Sequence, residues 1–209
     1  SCGEQAGKFE QFVTYTYTGE AATLVFTLAG NTYVPYFFAE ACDITPCEVI
    51  FKDQNGTELG RIETYEGATL AEIPYTEANL PAIEEGSKFR GWYYNSGKKV
   101  TVGDVINGNT TIQALVTPIE TATVGSVQTY PLNNSIFYPE DHETIEIAGG
   151  SFHDGTHGWH FAANGTIKVQ VAGNAVVVVT MCKYSESGEV VATDANGTEL
   201  GRASVVKNE

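Results

Sequence analysis

The stretch FVTYTYTGEAATLVFTL, residues 12–28, decides the fold class. Val13, Tyr15 and Tyr17 alternate with Thr14, Thr16 and Thr18. After Gly19-Glu20 the alternation resumes, with Leu24, Phe26 and Leu28 against Thr23, Val25 and Thr27. Successive side chains of a strand point to opposite faces, so a period of two predicts a hairpin with one buried face. Residues 31–38 add an aromatic strand in which Pro35 marks an edge or a bulge, because proline cannot donate to a ladder.

Working outward, the same period recurs along the chain while helical periodicity is nearly absent. From Glu48 the rhythm predicts strands at 49–51 and 59–65 around an Asn55-Gly56 turn, then a looser stretch with Pro74 and Pro81. One helical turn fits within 77–83, and strands follow at 89–94, 99–102 and 110–116, closing near Pro118. Residues 119–126 (IETATVGS) read as a linker. Beyond it, strands are predicted at 135–138, 144–147, 158–162, 166–171, 175–182, 189–194 and 201–206. Asn164-Gly165, Gly173-Asn174 and Asn196-Gly197 mark turns between them. The longest apolar run, 175–179, reads as a buried strand and is too short to span a bilayer. The phrase NGTELGR stands at 55–61 and again at 196–202, and predicts one hairpin chemistry used twice. Short strands with Gly/Asn turns argue an all-β protein built on a sandwich or jelly roll.

Composition narrows the partners. Among 209 residues, 26 acidic side chains face 11 basic ones, for a net charge of −15. Such a field repels phosphate backbones and anionic head groups, which argues against nucleic acid and membrane surfaces. Low lysine, a single Met, abundant Thr, Tyr, Gly and Asn, and four Cys suit a secreted or cell-surface β-protein. Ser1-Cys2-Gly3 carries no signal-peptide pattern and reads as a processed or cut end.

Two resemblances follow from particular motifs. Residues 48–118 contain Gly67-Ala68-Thr69-Leu70, Phe89-Arg90-Gly91-Trp92-Tyr93 and Thr110-Thr111-Ile112-Gln113-Ala114. They resemble the Listeria–Bacteroides repeat, the B-type repeat of internalins, whose F-x-G-W element is its most specific mark. The resemblance implies a small β-grasp-like spacer or adhesive unit without catalysis. Residues 126–209 contain Asp154-Gly155-Thr156-His157-Gly158-Trp159-His160-Phe161 and Cys182-Lys183-Tyr184-Ser185. They resemble the opening part of carbohydrate-binding-like β-sandwich modules borne by secreted pectin- and xylan-active bacterial enzymes. Residues 16–24 and 31–33 resemble the closing part of that module, so the two parts stand here in reversed order.

Edge and core accounting then gives the domain scheme. Each terminal piece alone leaves sheet edges and apolar faces uncovered. Residues 1–43 with 123–209 are therefore expected to complete one jelly-roll-like β-sandwich, within one chain or by strand exchange with another copy. Residues 47–118 form the β-grasp-like repeat domain, and 119–126 the linker. Cys2 and Cys182 lie in the two sandwich halves and would staple them, while Cys42 and Cys47 would close a small loop. Four unbridged thiols are the alternative.

The chemistry-bearing residues point to binding rather than turnover. Trp159 with Asp154, His157 and Tyr184 would give a flat π surface flanked by polar groups, the requirement for pyranose stacking. Trp159 and Phe161 share a strand face, so a core role stands beside that reading. Trp92, inside F-x-G-W, reads as structural. His153, Asp154, His157 and His160 have metal-ligating side chains. However, Gly155 and Gly158 break any helix, and on a strand His157 and His160 point to opposite sides, so no metal site is expected. A structural calcium ion, often carried by such sandwiches, would fall near 140–146, although no D-x-D-x-D loop is present. Glu84-Glu85 and Glu140-Asp141 select no acid/base pair, and nucleophile, zincin, Walker and dinucleotide motifs are missing. The expectation is a non-catalytic polysaccharide-binding accessory module beside a catalytic module acting on plant cell-wall polymer such as pectin or xylan. The rival is a structural or adhesive surface array.

Overall fold

Cys47, Val49 and Phe51 alternate with Glu48, Ile50 and Lys52, and that alternation makes β1 (Pro46–Lys52) an inner strand with one wholly buried face. The computed structural model describes residues 23–27, 30, 44–181 and 188–205. Among them, regular structure is strand throughout, apart from single 3-10 turns at Glu77–Asn79 and Pro139–Asp141. The all-β class is thereby shown.

β1, β2 (Glu58–Tyr65), β3 (Ser87–Tyr94) and β4 (Thr110–Pro118) form one sheet in the order β2-β1-β4-β3. The outer pairs are antiparallel, and β1 runs parallel to β4 in the register Val49↔Thr110 to Lys52↔Gln113. Val49, Phe51, Trp92, Ile112 and Ala114 face a covering layer of loop, from which Leu70, Val100 and Ile106 close the core. Backbone bonds from Gly67 to Ile106 (2.8 Å), from Leu70 to Asp104 (2.8 Å) and from Ile106 to Ala68 (2.8 Å) tie that layer together. Loops thus do the covering that a crossover helix usually does.

The Phe89-Arg90-Gly91-Trp92 element works through a β-bulge. Strict alternation would send Phe89 and Trp92 to opposite faces, but the register slips between Phe89 and Gly91, with Gly91 at φ 124°. Both rings therefore meet in the core, 5.7 Å apart and edge to face, while Arg90 is aimed through the other side. Trp92 is 5% exposed, and its Nε1 donates to the Tyr75 carbonyl at 2.9 Å. Its structural reading holds.

The remaining strands form two hairpins, β5 (Ile145–Asp154) with β6 (Gly158–Val169), and β7 (Gly188–Thr193) with β8 (Glu199–Val205). The repeated NGTELGR phrase builds the same object twice. Asp53 Oδ1 accepts from the Asn55 and Thr57 amides, and Asp194 Oδ1 from those of Asn196 and Thr198, all at 2.8 Å. Arg61 clasps Glu58 and Glu48, as Arg202 clasps Glu199 and Glu189. The surroundings differ. Val49 is fully buried, whereas its counterpart Val190 is 37% exposed. A Cβ on Gly60 would fall 2.0 Å from the Tyr75 hydroxyl, whereas one on Gly201 meets nothing within 4 Å among the described residues.

Several expected elements are corrected. Residues 135–138 form no strand; Asn134 Oδ1 accepts from the Ile136 amide and the chain turns into Pro139–Asp141. Residues 99–102 contribute only an isolated bridge, Tyr93↔Lys99. The strands expected at 158–162 and 166–171 are one, β6, and Asn164-Gly165 is a bulge inside it, with Asn164 at φ 68° opposite Gly149 at φ 71°. The Val176–Val179 side chains stand exposed, with no strand partner among the described residues, so the buried strand expected there is not seen. Residues 23–27 likewise carry no strand, and the rest of the 12–28 hairpin and the 31–38 strand lie outside the described residues. No helix among the described residues is long and apolar enough to cross a membrane.

Candidate functional site

The tip of the β5–β6 hairpin collects polar chemistry. Gly155-Thr156-His157 turns the chain, and Asp154 Oδ1 accepts from the Thr156 (2.8 Å) and His157 (2.7 Å) amides. Asp154 Oδ2 lies 2.8 Å from His157 Nδ1 and 3.5 Å from His153 Nε2. The hydrogen bond from the His157 ring, followed by that from its amide, lowers the Asp154 carboxyl to about 2. Gly158, at φ 76°, has no room for a side chain, since a Cβ would sit 3.1 Å from the Leu132 carbonyl oxygen.

His157 and His160, expected to point to opposite sides of a strand, both lie near the His153 ring. His157 lies in the turn, so strand alternation does not govern it. His153 is the extra residue of a bulge between Phe152 and Asp154, and its ring lies 5.9 Å from that of His157 and 6.5 Å from that of His160. Among the described residues, His153, Asp154 and His157 are the one group whose ligand atoms converge, all within 4.8 Å of one another.

Trp159 occupies the other face. It pairs with Phe152 across the hairpin, while His160 pairs with Ser151, so the indole and the His160 ring project to opposite sides. Gly150 and Gly165 leave room for the Phe161 ring, which a Cβ on either would strike at 2.6 Å and 2.4 Å. Trp159 is only partly buried, and its inward-turned Nε1 has no partner among the described residues. Asp154 and His157 sit at the end of the same hairpin. Tyr184 lies outside the described residues, as do Cys2, Cys42 and Cys182, while Cys47 is a buried free thiol.

A seam missed by the sequence reading joins the four-stranded sheet to residues 119–144. The Arg90 side chain is 1% exposed, and its guanidinium forks onto Glu143 at 2.5 and 2.9 Å while bonding Thr117 Oγ1 and the Pro118 carbonyl. Glu143 also accepts from Lys88 and from the Glu120 amide; the Arg90 bonds outweigh burial and draw its carboxyl down to about 2. The Tyr93 hydroxyl bonds Asp141, and burial together with that carboxylate pushes the phenol far above its usual range. Burial, with Asp104 beside it, pushes Tyr94 up to about 12. Lys99 bridges Glu140 and Asp141, and Lys168 pairs with Glu146. The carboxylates considered for calcium thus meet cationic side chains of the fold. A cleft along the seam includes Gln54, Asn95, Tyr138 and His142, but Tyr138 and His142 already serve the Lys99 amide and Glu120. The one sequence hint of this seam was an arginine between two core aromatics.

No family model, curated protein or solved structure matches the chain.

Proposed function

We propose that this chain is a non-catalytic polysaccharide-binding accessory module of a secreted or cell-surface system that degrades plant cell-wall polymer. The supporting observation is the contrast between its two tryptophans. Trp92 is buried with its N–H bonded, as a packing residue should be. Trp159 is partly exposed, leaves its N–H unpartnered among the described residues, and stands one residue pair from the polar tip formed by Asp154 and His157. A buried donor without a partner costs about 1–3 kcal/mol. The part of the indole left exposed beside the polar tip is the surface offered for pyranose stacking. The exposed side chains of Leu24 and Val25 and of Val176 to Val179 fit the companion proposal that 1–43 and 123–209 complete one sandwich, within a chain or between copies. The β2-β1-β4-β3 order with a parallel inner pair is that of a β-grasp sheet, and supports the internalin-type reading of 47–118.

Affinity electrophoresis in pectin and xylan gels tests the proposal. Retardation by one polymer is expected, lost in Trp159→Ala with the melting temperature nearly unchanged. No retardation by any polymer, or retardation that survives the substitution, refutes it. A second reading, a structural or adhesive surface array, is favoured by the duplicated clasped hairpin, since spacer proteins are built from repeated units.

A further inference from the structure

We propose that the tip of the β5–β6 hairpin binds a divalent transition-metal ion, zinc foremost, through His153 Nε2, a carboxylate oxygen of Asp154 and His157 Nδ1. Imidazole nitrogen and carboxylate oxygen form the donor set that suits zinc among the common divalent ions, and three protein ligands leave a position for water or a fourth ligand. His160, whose ring lies 6.5 Å from that of His153, is placed to fill it after a side-chain rotation.

The spacing is close to what coordination requires. Ligand atoms at tetrahedral angles about zinc, bonded at about 2.0–2.1 Å, stand roughly 3.3 Å apart. His153 Nε2 is already 3.5 Å from Asp154 Oδ2, and His157 Nδ1 is 2.8 Å from the same oxygen. The ion therefore needs the His157–Asp154 contact to open by a few tenths of an ångström, the two imidazole nitrogens, which lie within 4.8 Å, to settle at a similar spacing, and the proton between His157 and Asp154 to leave. The backbone favours the arrangement. Asp154 is fixed by two amide bonds, and Gly155 and Gly158 let the turn lie against the carbonyls of Asn133 and Leu132. Three of the chain's four histidines fall in this one segment, 153–160. An Asp–His pair that served the turn alone would need only His157.

The test is titration of the purified, chelator-treated chain with zinc chloride by calorimetry, and with cobalt(II) chloride by visible absorption. One ion per chain is expected, with cobalt bands free of thiolate charge transfer. His153→Ala and His157→Ala should each weaken binding at least about tenfold, while His142→Ala, remote from the tip, leaves it unchanged. Circular dichroism confirms that each variant is folded. Ring resonances of His153 and His157 should shift or broaden on zinc addition. No binding, binding unaffected by the His153→Ala/His157→Ala pair, or a thiolate band in the cobalt spectrum would overturn the site and leave a hydrogen-bonded turn only.

Discussion

Replacing Glu143 with Gln removes one charge from a pair whose other member cannot reach water. Arg90 is 1% exposed and Glu143 24% exposed, and both carboxylate oxygens are engaged by the guanidinium. The Arg90 hydrogen bonds draw the Glu143 carboxyl from its ordinary range down to about 2, which corresponds to about 3 kcal/mol of stability. The sign is that of a depressed carboxylate: the contribution is complete above pH about 4.5 and is lost as the pH falls through about 2. Glu143→Gln keeps the shape but leaves the guanidinium without a counter-charge, so a loss of about 2–4 kcal/mol is expected near neutral pH. Urea unfolding followed by Trp92 fluorescence, in a Trp159→Phe background, measures it. The acid-unfolding limb of the wild type should be shallower in the variant, because the titrating group is gone. Arg90→Met with Glu143→Leu should recover most of the loss, since neither charge is then buried alone. A loss below about 0.5 kcal/mol, or an acid limb identical to wild type, would refute the reasoning.

Gly91→Ala forces a side chain into φ 124° and should cost about 1–3 kcal/mol in urea unfolding of the four-stranded sheet; a neutral result would show that the bulge does not fix Trp92. Gly150→Ala drives a Cβ to 2.6 Å from the Phe161 ring and should destabilise the β5–β6 hairpin by about 1–3 kcal/mol; adding Phe161→Leu should recover part of the loss, and no recovery would mean the ring is not the obstacle. Gly60→Ala should destabilise through the Tyr75 hydroxyl while Gly201→Ala changes the melting temperature little, and equal effects would contradict the difference in their surroundings.

What the sequence made legible was local. Alternation at Cys47, Val49 and Phe51, the Asn55-Gly56 turn and the paired NGTELGR phrases lie within a few residues, where pleat and turn chemistry dominate. Trp92 was readable because its bulge is encoded by the adjacent Gly91. The seam was not, because Arg90 meets a carboxylate 53 residues away and no periodicity carries that distance. Residues 135–138 misled because Asn134 gives the Ile136 amide a side-chain partner and Pro139 starts a turn where alternation suggested a ladder. The valines at 176–179 misled because hydrophobicity describes what a segment would bury, while pairing depends on a neighbour that composition does not specify. At the hairpin tip, alternation sent His157 and His160 apart, yet a turn residue and a bulged His153 gather the three rings.

The doubled hairpin carries its own reference measurement. Two stretches of one polypeptide share the turn aspartate, the glutamate–arginine clasp and the phrase between them, yet only β1–β2 has a parallel neighbour and a sealed hydrophobic face among the described residues. In native-state deuterium exchange, the β7–β8 amides report what a ladder with no third strand among the described residues protects. Position by position, the slower β1–β2 amides give the increment added by β4 and the core. Solvent, temperature and intrinsic sequence chemistry nearly cancel between the two. The molecule therefore offers, in a single sample, a direct reading of how much a β-hairpin owes to its neighbours.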